Sequence, residues 1–118
     1  MKTTVHNPDL ARFVEAGTLY LSAPEAAELV RRHGVTASIE AIANNIRADF
    51  GRWADFDKTA RVAAHSADGV VELMPVADAH CYSFKYVNGH PGNTRLGLST
   101  VMAFGVLADV DTGAPLFL

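Results

Sequence analysis

Arg61, Glu72 and Lys85 each sit inside an apolar run, and the three runs read as successive β-strands. Alternation along a strand sets Glu72 on one face with Val70, Met74 and Val76, and Lys85 on one face with Cys81, Ser83 and Val87. A charge on a mostly apolar strand face has to be solvated, paired, or shifted in pKa. Adjacent strands that bring the three together make a site with two positive charges and one negative. Such a site holds a ligand carboxylate between Arg61 and Lys85 and leaves Glu72 for proton traffic. The plainer reading of the same pattern is structural: Glu72 pairs with Lys85 or Arg61 across the sheet, or points to water.

Other reactive residue types carry less. His65 and His90 fall near predicted strand ends, where a lone histidine is usually a surface or hydrogen-bonded residue. The five histidines show no paired ligand spacing, so no metal site is expected. Cys81 is the only cysteine. It reads as a small hydrophobe rather than a nucleophile, because no His–Asp constellation can be assigned to it. The loop from Asn88 to Thr94 has two glycines and a proline, and exposed amides there could bind an anion. It is not a dinucleotide fingerprint, since G-x-G-x-x-G is absent and no helix is predicted after it.

The elements that must position these residues follow from the pattern. Asn7 and Pro8 mark the start of a short helix, with Gly17 past its end. TLYLS, beginning at Thr18, is a short strand candidate. Ser22 and Glu25 make an S-x-x-E capping box with Pro24 in the first turn, and the helix that follows stops at Gly34. A longer helix is expected from about Thr36 to Trp53, with Ile39, Ile42, Ile46, Phe50 and Trp53 on one stripe that packs on a sheet. Beyond Asp57 the texture becomes strand-like. Ala67-Asp68-Gly69 predicts a hairpin with glycine at positive φ. Tyr82, Phe84 and Tyr86 alternate onto one face of a third strand. A long fourth strand is expected over Ser99–Val110, and Asp111-Thr112-Gly113 turns it back into Ala114–Leu118. The chain closes on that apolar run, which is native only if it is paired, and this is read as a hint that the polypeptide continues.

The bulk properties set bounds. The chain has 118 residues, enough for one domain, with 49% hydrophobic and 19% charged residues. That composition is globular rather than disordered. A net charge of -3 gives no electrostatic reason to bind nucleic acid, and no polybasic run meets an anionic membrane. No apolar stretch approaches the ~20 residues of a membrane helix, and the first residues have no signal-peptide core. The single cysteine fits a reducing, cytoplasmic setting. The expected fold is α+β, with N-terminal helices on an antiparallel or mixed, open barrel-like sheet of five to six strands.

The runs RVAAHSADGVVELMPVAD and FKYVNGHPGNTRLGLSTVMAFGVLADVDTGAPLFL closely resemble the ornithine cyclodeaminase and mu-crystallin family. The resemblance extends over roughly Leu19 to Leu118. It is most specific from Arg61 to Gly113, above all in KYVNGHPGNT. Residues 1–17 read as an extension and 18–118 as the N-terminal substrate-binding and dimerisation domain. The resemblance implies a homodimer and a Rossmann domain downstream that binds NAD and lies outside this chain. It also implies a reaction that converts L-ornithine to L-proline and ammonia, with the hydride taken and then returned. By resemblance Arg61 and Lys85 match residues that hold the substrate carboxylate. Glu72 matches an active-site carboxylate, and Thr100 a position that contacts NAD. The family's catalytic aspartate lies beyond this sequence, so the chain alone is expected to be inactive. The rival readings are another NAD(P)-linked member (ketimine reductase, alanine dehydrogenase or lysine cyclodeaminase) and a non-catalytic module that dimerises or binds an amino acid.

Overall fold

A computed structural model describes residues 16–118. Two helices, α1 (Ala23–His33) and α2 (Val35–Gly51), precede a six-stranded sheet. The strands are β1 (Asp57–Lys58), β2 (Val62–Ser66), β3 (Gly69–Ala77), β4 (Cys81–Gly89), β5 (Ala103–Asp109) and β6 (Pro115–Phe117). Every strand pair is antiparallel, in the order β1-β3-β4-β5-β6, with β2 also paired to β3. The sheet is open, as expected. The helix start at Asn7 and Pro8 lies outside the described residues, while Gly17 takes φ 79°, as a glycine past a helix end should.

The helix signals act as read. The Ser22 side chain accepts from the Glu25 amide, and the Glu25 carboxylate accepts from the Ser22 amide at 2.9 Å. Two otherwise unpaired amides are thereby satisfied. Gly34 ends α1 at φ 91°, a conformation that only glycine adopts without strain. The stripe of α2 departs from expectation. Ile39, Ile42 and Phe50 are about 60% exposed, so the stripe is not laid flat on the sheet. The helix meets the sheet only at its C-terminal end, where Ile46, Phe50 and Trp53 share a cavity of about 420 Å³ with Met74 and Val76.

That junction is held by charge and aromatic contact. Arg52 donates to Asp78 at 2.9 Å and lies 4.3 Å over the Phe56 ring. Lys58 donates to the carbonyls of Trp53 and Phe56, both at 2.7 Å, beneath a Trp53 ring stacked on Phe50. Asp78 also accepts from the His80 and Cys81 amides. Burial pushes its carboxyl up, but the Cys81 and His80 amides and the Arg52 guanidinium outweigh this and hold it below the ordinary value. A folded-state pKa below the unfolded one stabilises the fold above the unfolded value, near pH 4, and this contribution is lost as pH falls through the depressed value. Asp78→Asn is therefore expected to be less stable than the parent at pH 7, with the gap closing below about pH 4. Urea midpoints taken across that range check it, and a gap independent of pH would contradict it.

Three turn and strand expectations are corrected. The hairpin forms between Ser66 and Gly69, but Gly69 is not at positive φ. Its lack of a side chain has another cause: a Cβ there would lie 2.7 Å from His90 Nε2 and Cγ. The fourth strand begins at Ala103 rather than Ser99, because the Asn88 side chain takes the Met102 amide. TLYLS is not a full strand and makes a single parallel bridge, Leu19 to Phe117.

The terminal run is paired on both sides. β6 bonds to β5, and Leu19, Leu21, Leu116 and Leu118 exchange backbone hydrogen bonds of 2.8–3.0 Å. Leu116 is 1% exposed and is the most deeply buried large side chain among the described residues.

Candidate functional site

Register decides which side chains share a face. Glu72 stands opposite Ala63 on β2 and Val87 on β4. Lys85 stands opposite Met74 on β3 and Gly105 on β5. Arg61 is one step before β2, on the position that faces Met74. Arg61, Met74, Lys85 and Gly105 therefore form one row across the sheet, with Glu72 one row further along the same face. Strands are about 4.8 Å apart, so the two cations flank Met74 at roughly 10 Å between backbones.

Arg61 and Glu72 are paired: Nη1 donates to both carboxylate oxygens, at 3.2 and 3.3 Å. Arg61 is largely exposed and Glu72 mostly covered. A pair this open contributes at most about 1 kcal/mol to stability. The structural reading of Glu72 thus holds as far as Arg61 goes. It does not extend to Lys85, which is exposed and has no ion pair or hydrogen bond within the described chain. The structure brings Arg61, Glu72 and Lys85 to one face and leaves one cation unneutralised.

Thr100 is not in this cluster. It lies in the segment that returns from β4 to β5, half-buried, where its carbonyl accepts from the His90 amide at 2.8 Å. The loop before it is built from the inside. Asn88, 6% exposed, accepts the Met102 amide on Oδ1 and so presents Nδ2 to His90 Nδ1 at 3.0 Å. A donor at Nδ1 leaves the proton of a neutral imidazole on Nε2. Pro91–Leu96 is a 3-10 helix, where the sequence reading had only a loop. The amides of Asn93, Gly97 and Leu98 are spent on internal carbonyls, so these three are not free for an anion.

Cys81 is half-buried, and burial first, then the Asp78 and Asp109 carboxylates, push its thiol up. A thiol held protonated is a poor nucleophile. No group of three metal-binding side chains exists among the described residues. Asn88 and Gly105 escaped the sequence reading. Asn88 reads as an ordinary turn residue, and its burial depends on where the returning segment passes. Gly105 in mid-strand was the available signal, since glycine there lowers strand stability without an evident return.

The profile of the ornithine cyclodeaminase/mu-crystallin family matches residues 25–118. The ornithine cyclodeaminase of Brucella abortus biovar 1 (strain 9-941) is 54% identical over 99 residues, which are 84% of this chain and 28% of that protein. That of Agrobacterium fabrum (strain C58 / ATCC 33970) is 50% identical over the same shares. The chain thus spans less than a third of the length of these relatives. Its fold superposes on a lysine cyclodeaminase described for recognition of L-lysine, L-ornithine and L-2,4-diaminobutyric acid, with TM-score 0.77 and 25% identity over 86% of this chain and 32% of that one. An archaeal alanine dehydrogenase dimer with bound NAD gives TM-score 0.66 and 29% identity over 85% of this chain and 30% of that one. The matched profile, the relatives at half identity and the shared fold agree: this chain belongs to the ornithine cyclodeaminase/mu-crystallin family.

Proposed function

We propose that this chain is the carboxylate-binding, self-associating part of an NAD-linked amino-acid enzyme that converts L-ornithine to L-proline and ammonia. The observation that carries this reading is Lys85, an unpaired ammonium on the same row as Arg61 and the same face as Glu72. A carboxylate lying over Met74 meets the Lys85 ammonium on one side and the unshared guanidinium nitrogen of Arg61 on the other. Glu72, already fixed by Arg61, stands beside the α-amino end to accept or return a proton. The curated relatives at 50–54% identity are ornithine cyclodeaminases, which supports ornithine as the substrate. The alanine dehydrogenase neighbour keeps a second NAD-linked amino-acid reaction in view.

NAD would supply a hydride acceptor that later gives the hydride back. The residues present fit that group only at its edge. No G-x-G-x-x-G occurs in the given sequence, and Thr100 offers one hydroxyl. Residues 18–118 act as the domain and 1–17 as its extension. The sheet face opposite Glu72 and Lys85 shows exposed Val62, Leu73, Tyr82 and Phe104, which supports pairing with a second copy. No described helix is long and apolar enough to cross a membrane, and the single cysteine supports a cytoplasmic setting.

The chain itself tests this. Titrating the isotope-labelled protein with acetate and with L-ornithine should shift the amides of Met74, Lys85 and their row neighbours first. L-Ornithine with NAD should give neither ammonia nor proline from the chain alone. Scattered shifts, or none, remove the carboxylate site, and turnover by the chain alone removes the view that it needs a nucleotide domain.

A further inference from the structure

Lys58 and Arg61 are three positions apart (61 − 58), so strand alternation alone sets them on opposite faces of the sheet. In the structure they share one face. Lys58 stands opposite Val76 and lines a cavity with Met74 and Val76. Arg61 reaches Glu72, which lies on the face of Met74 and Val76. The register shows how. Lys58 pairs with Val76 and Val62 with Leu73, so Thr59, Ala60 and Arg61 span what Met74 and Pro75 span on β3. With Arg61 facing Met74, two residues, Thr59 and Ala60, stand against Pro75 alone. That is a β-bulge, and the one extra residue turns every later side chain of the edge to the other face.

Pro75 fixes where the extra residue goes. The Asp78 amide donates to the Cys81 carbonyl of β4 at 2.9 Å. Amides alternate along a strand, so those of Val76, Met74 and Glu72 also turn to β4, while Ala77, Pro75 and Leu73 turn to the edge formed by β1 and β2. Pro75 is the member of that second set with no amide to give. A regular edge would leave a carbonyl unpaired there, and proline inside a sheet is found at such breaks. Both ends of the edge are held independently. Lys58 is anchored on the Trp53 and Phe56 carbonyls, and the Ser66–Gly69 hairpin sets β2. The extra residue must fall between them, and the missing amide places it before Arg61 rather than after.

We infer that Pro75 is a positioning residue: it holds the bulge at Thr59 and Ala60 and so keeps the Arg61 guanidinium on the face of Glu72 and Lys85. Were the bulge to form past Arg61, the β1 register would run on, Ala60 would face Met74, and Arg61 would face Leu73. Leu73 lies on the opposite face, in line with Tyr86 and Phe104. Glu72 would then lose its cation. The consequence for a ligand rests on the carboxylate site proposed above, whereas the register does not.

The test reads register and binding separately on the labelled chain, in the parent, in Pro75→Val, and in Pro75→Val with Ala60 deleted. Arg61 and Met74 face each other as a non-hydrogen-bonded pair, whose Hα atoms approach closely enough for a strong nuclear Overhauser contact. Pro75→Val returns an amide to the edge. The Met74 Hα contact should move from Arg61 to Ala60, and acetate should weaken by roughly three- to fivefold, the loss of one largely exposed charge contact. Deleting Ala60 removes the extra residue, so the two registers agree and Arg61 can only face Met74. The double variant should recover the contact between Arg61 and Met74 and the parent affinity, which a packing role for Pro75 would not allow. Pro75→Ala also returns the amide and serves if the valine variant does not fold. An unmoved contact in Pro75→Val overturns the inference, as does a loss of affinity that the deletion fails to restore. Failure of acetate to bind the parent overturns the carboxylate site instead, and the movement of the Met74 contact still decides the part of Pro75.

Discussion

Lys85→Met weakens acetate and amino-acid binding by roughly ten- to a hundredfold, while Glu72→Gln strengthens it several-fold. The signs follow from the pairing on the sheet. Lys85 has no partner to release, so a carboxylate gains its full charge-assisted hydrogen bond there, worth about 1.5–3 kcal/mol. Arg61 already spends one nitrogen on Glu72. Neutralising Glu72 frees that guanidinium and removes a negative charge from beside the incoming anion. Because Lys85 is exposed, the attraction should also fall as salt rises and the Debye length shortens. Binding curves for parent, Lys85→Met and Glu72→Gln at two salt concentrations settle the order. A weaker Glu72→Gln would mean that Arg61 and Glu72 serve only each other. The methionine keeps the length of the Lys85 stem, so a loss of affinity with intact folding reports charge rather than packing.

Leu116→Ala costs about 3 kcal/mol of stability, the largest effect expected of any single truncation in the described chain. Leu116 is 1% exposed, whereas Leu29 and the isoleucines of α2 are half-exposed or more. Transfer of its side chain to water is only part of the loss, because β6 lies between β5 and the Leu19 segment and a cavity left there cannot easily collapse. Among the described residues only Asn88, Ala108, Asp109 and Leu116 are buried. Total stability of domains is of order 5–15 kcal/mol, and a core this thin sits at the low end. The urea midpoint should therefore move far for Leu116→Ala at unchanged slope, and hardly for Leu29→Ala. Comparable shifts for both would mean that the terminal strand does not carry the fold.

What was legible in the sequence was local chemistry. Ser22, Glu25 and Gly34 bound α1 because capping needs only neighbours, and alternation set Glu72 with Met74 and Val76, and Lys85 with Ser83 and Val87, each on a face of its own strand, because period two is a property of the strand itself. The errors arose where a distant segment intervenes. Gly69 reads as a turn glycine, but it is small for the sake of His90, twenty-one residues on by position (90 − 69). Asn88 looks like loop punctuation, and its carboxamide instead takes the amide that would have begun β5 earlier. The stripe on α2 has helical spacing, yet spacing says nothing of what lies opposite, and in this chain little does. The row Arg61, Met74, Lys85, Gly105 was out of reach for a similar reason, since strand register depends on turns whose lengths the sequence gives but whose geometry it does not.

The joining of Leu19 to Leu116, across 97 positions (116 − 19), fixes a timetable. A ribosome releases the Leu19 segment well before its partner. Until β6 emerges, the Leu19 carbonyl and amide have no mate, β5 keeps an open edge, and Leu116 has no pocket to fill. Long-range closure of this kind slows folding, and the exposed edge is the moment of greatest risk for pairing with the wrong chain. The helices and the β3–β4 hairpin can settle earlier in synthesis, but the sheet is sealed only once β6 has emerged.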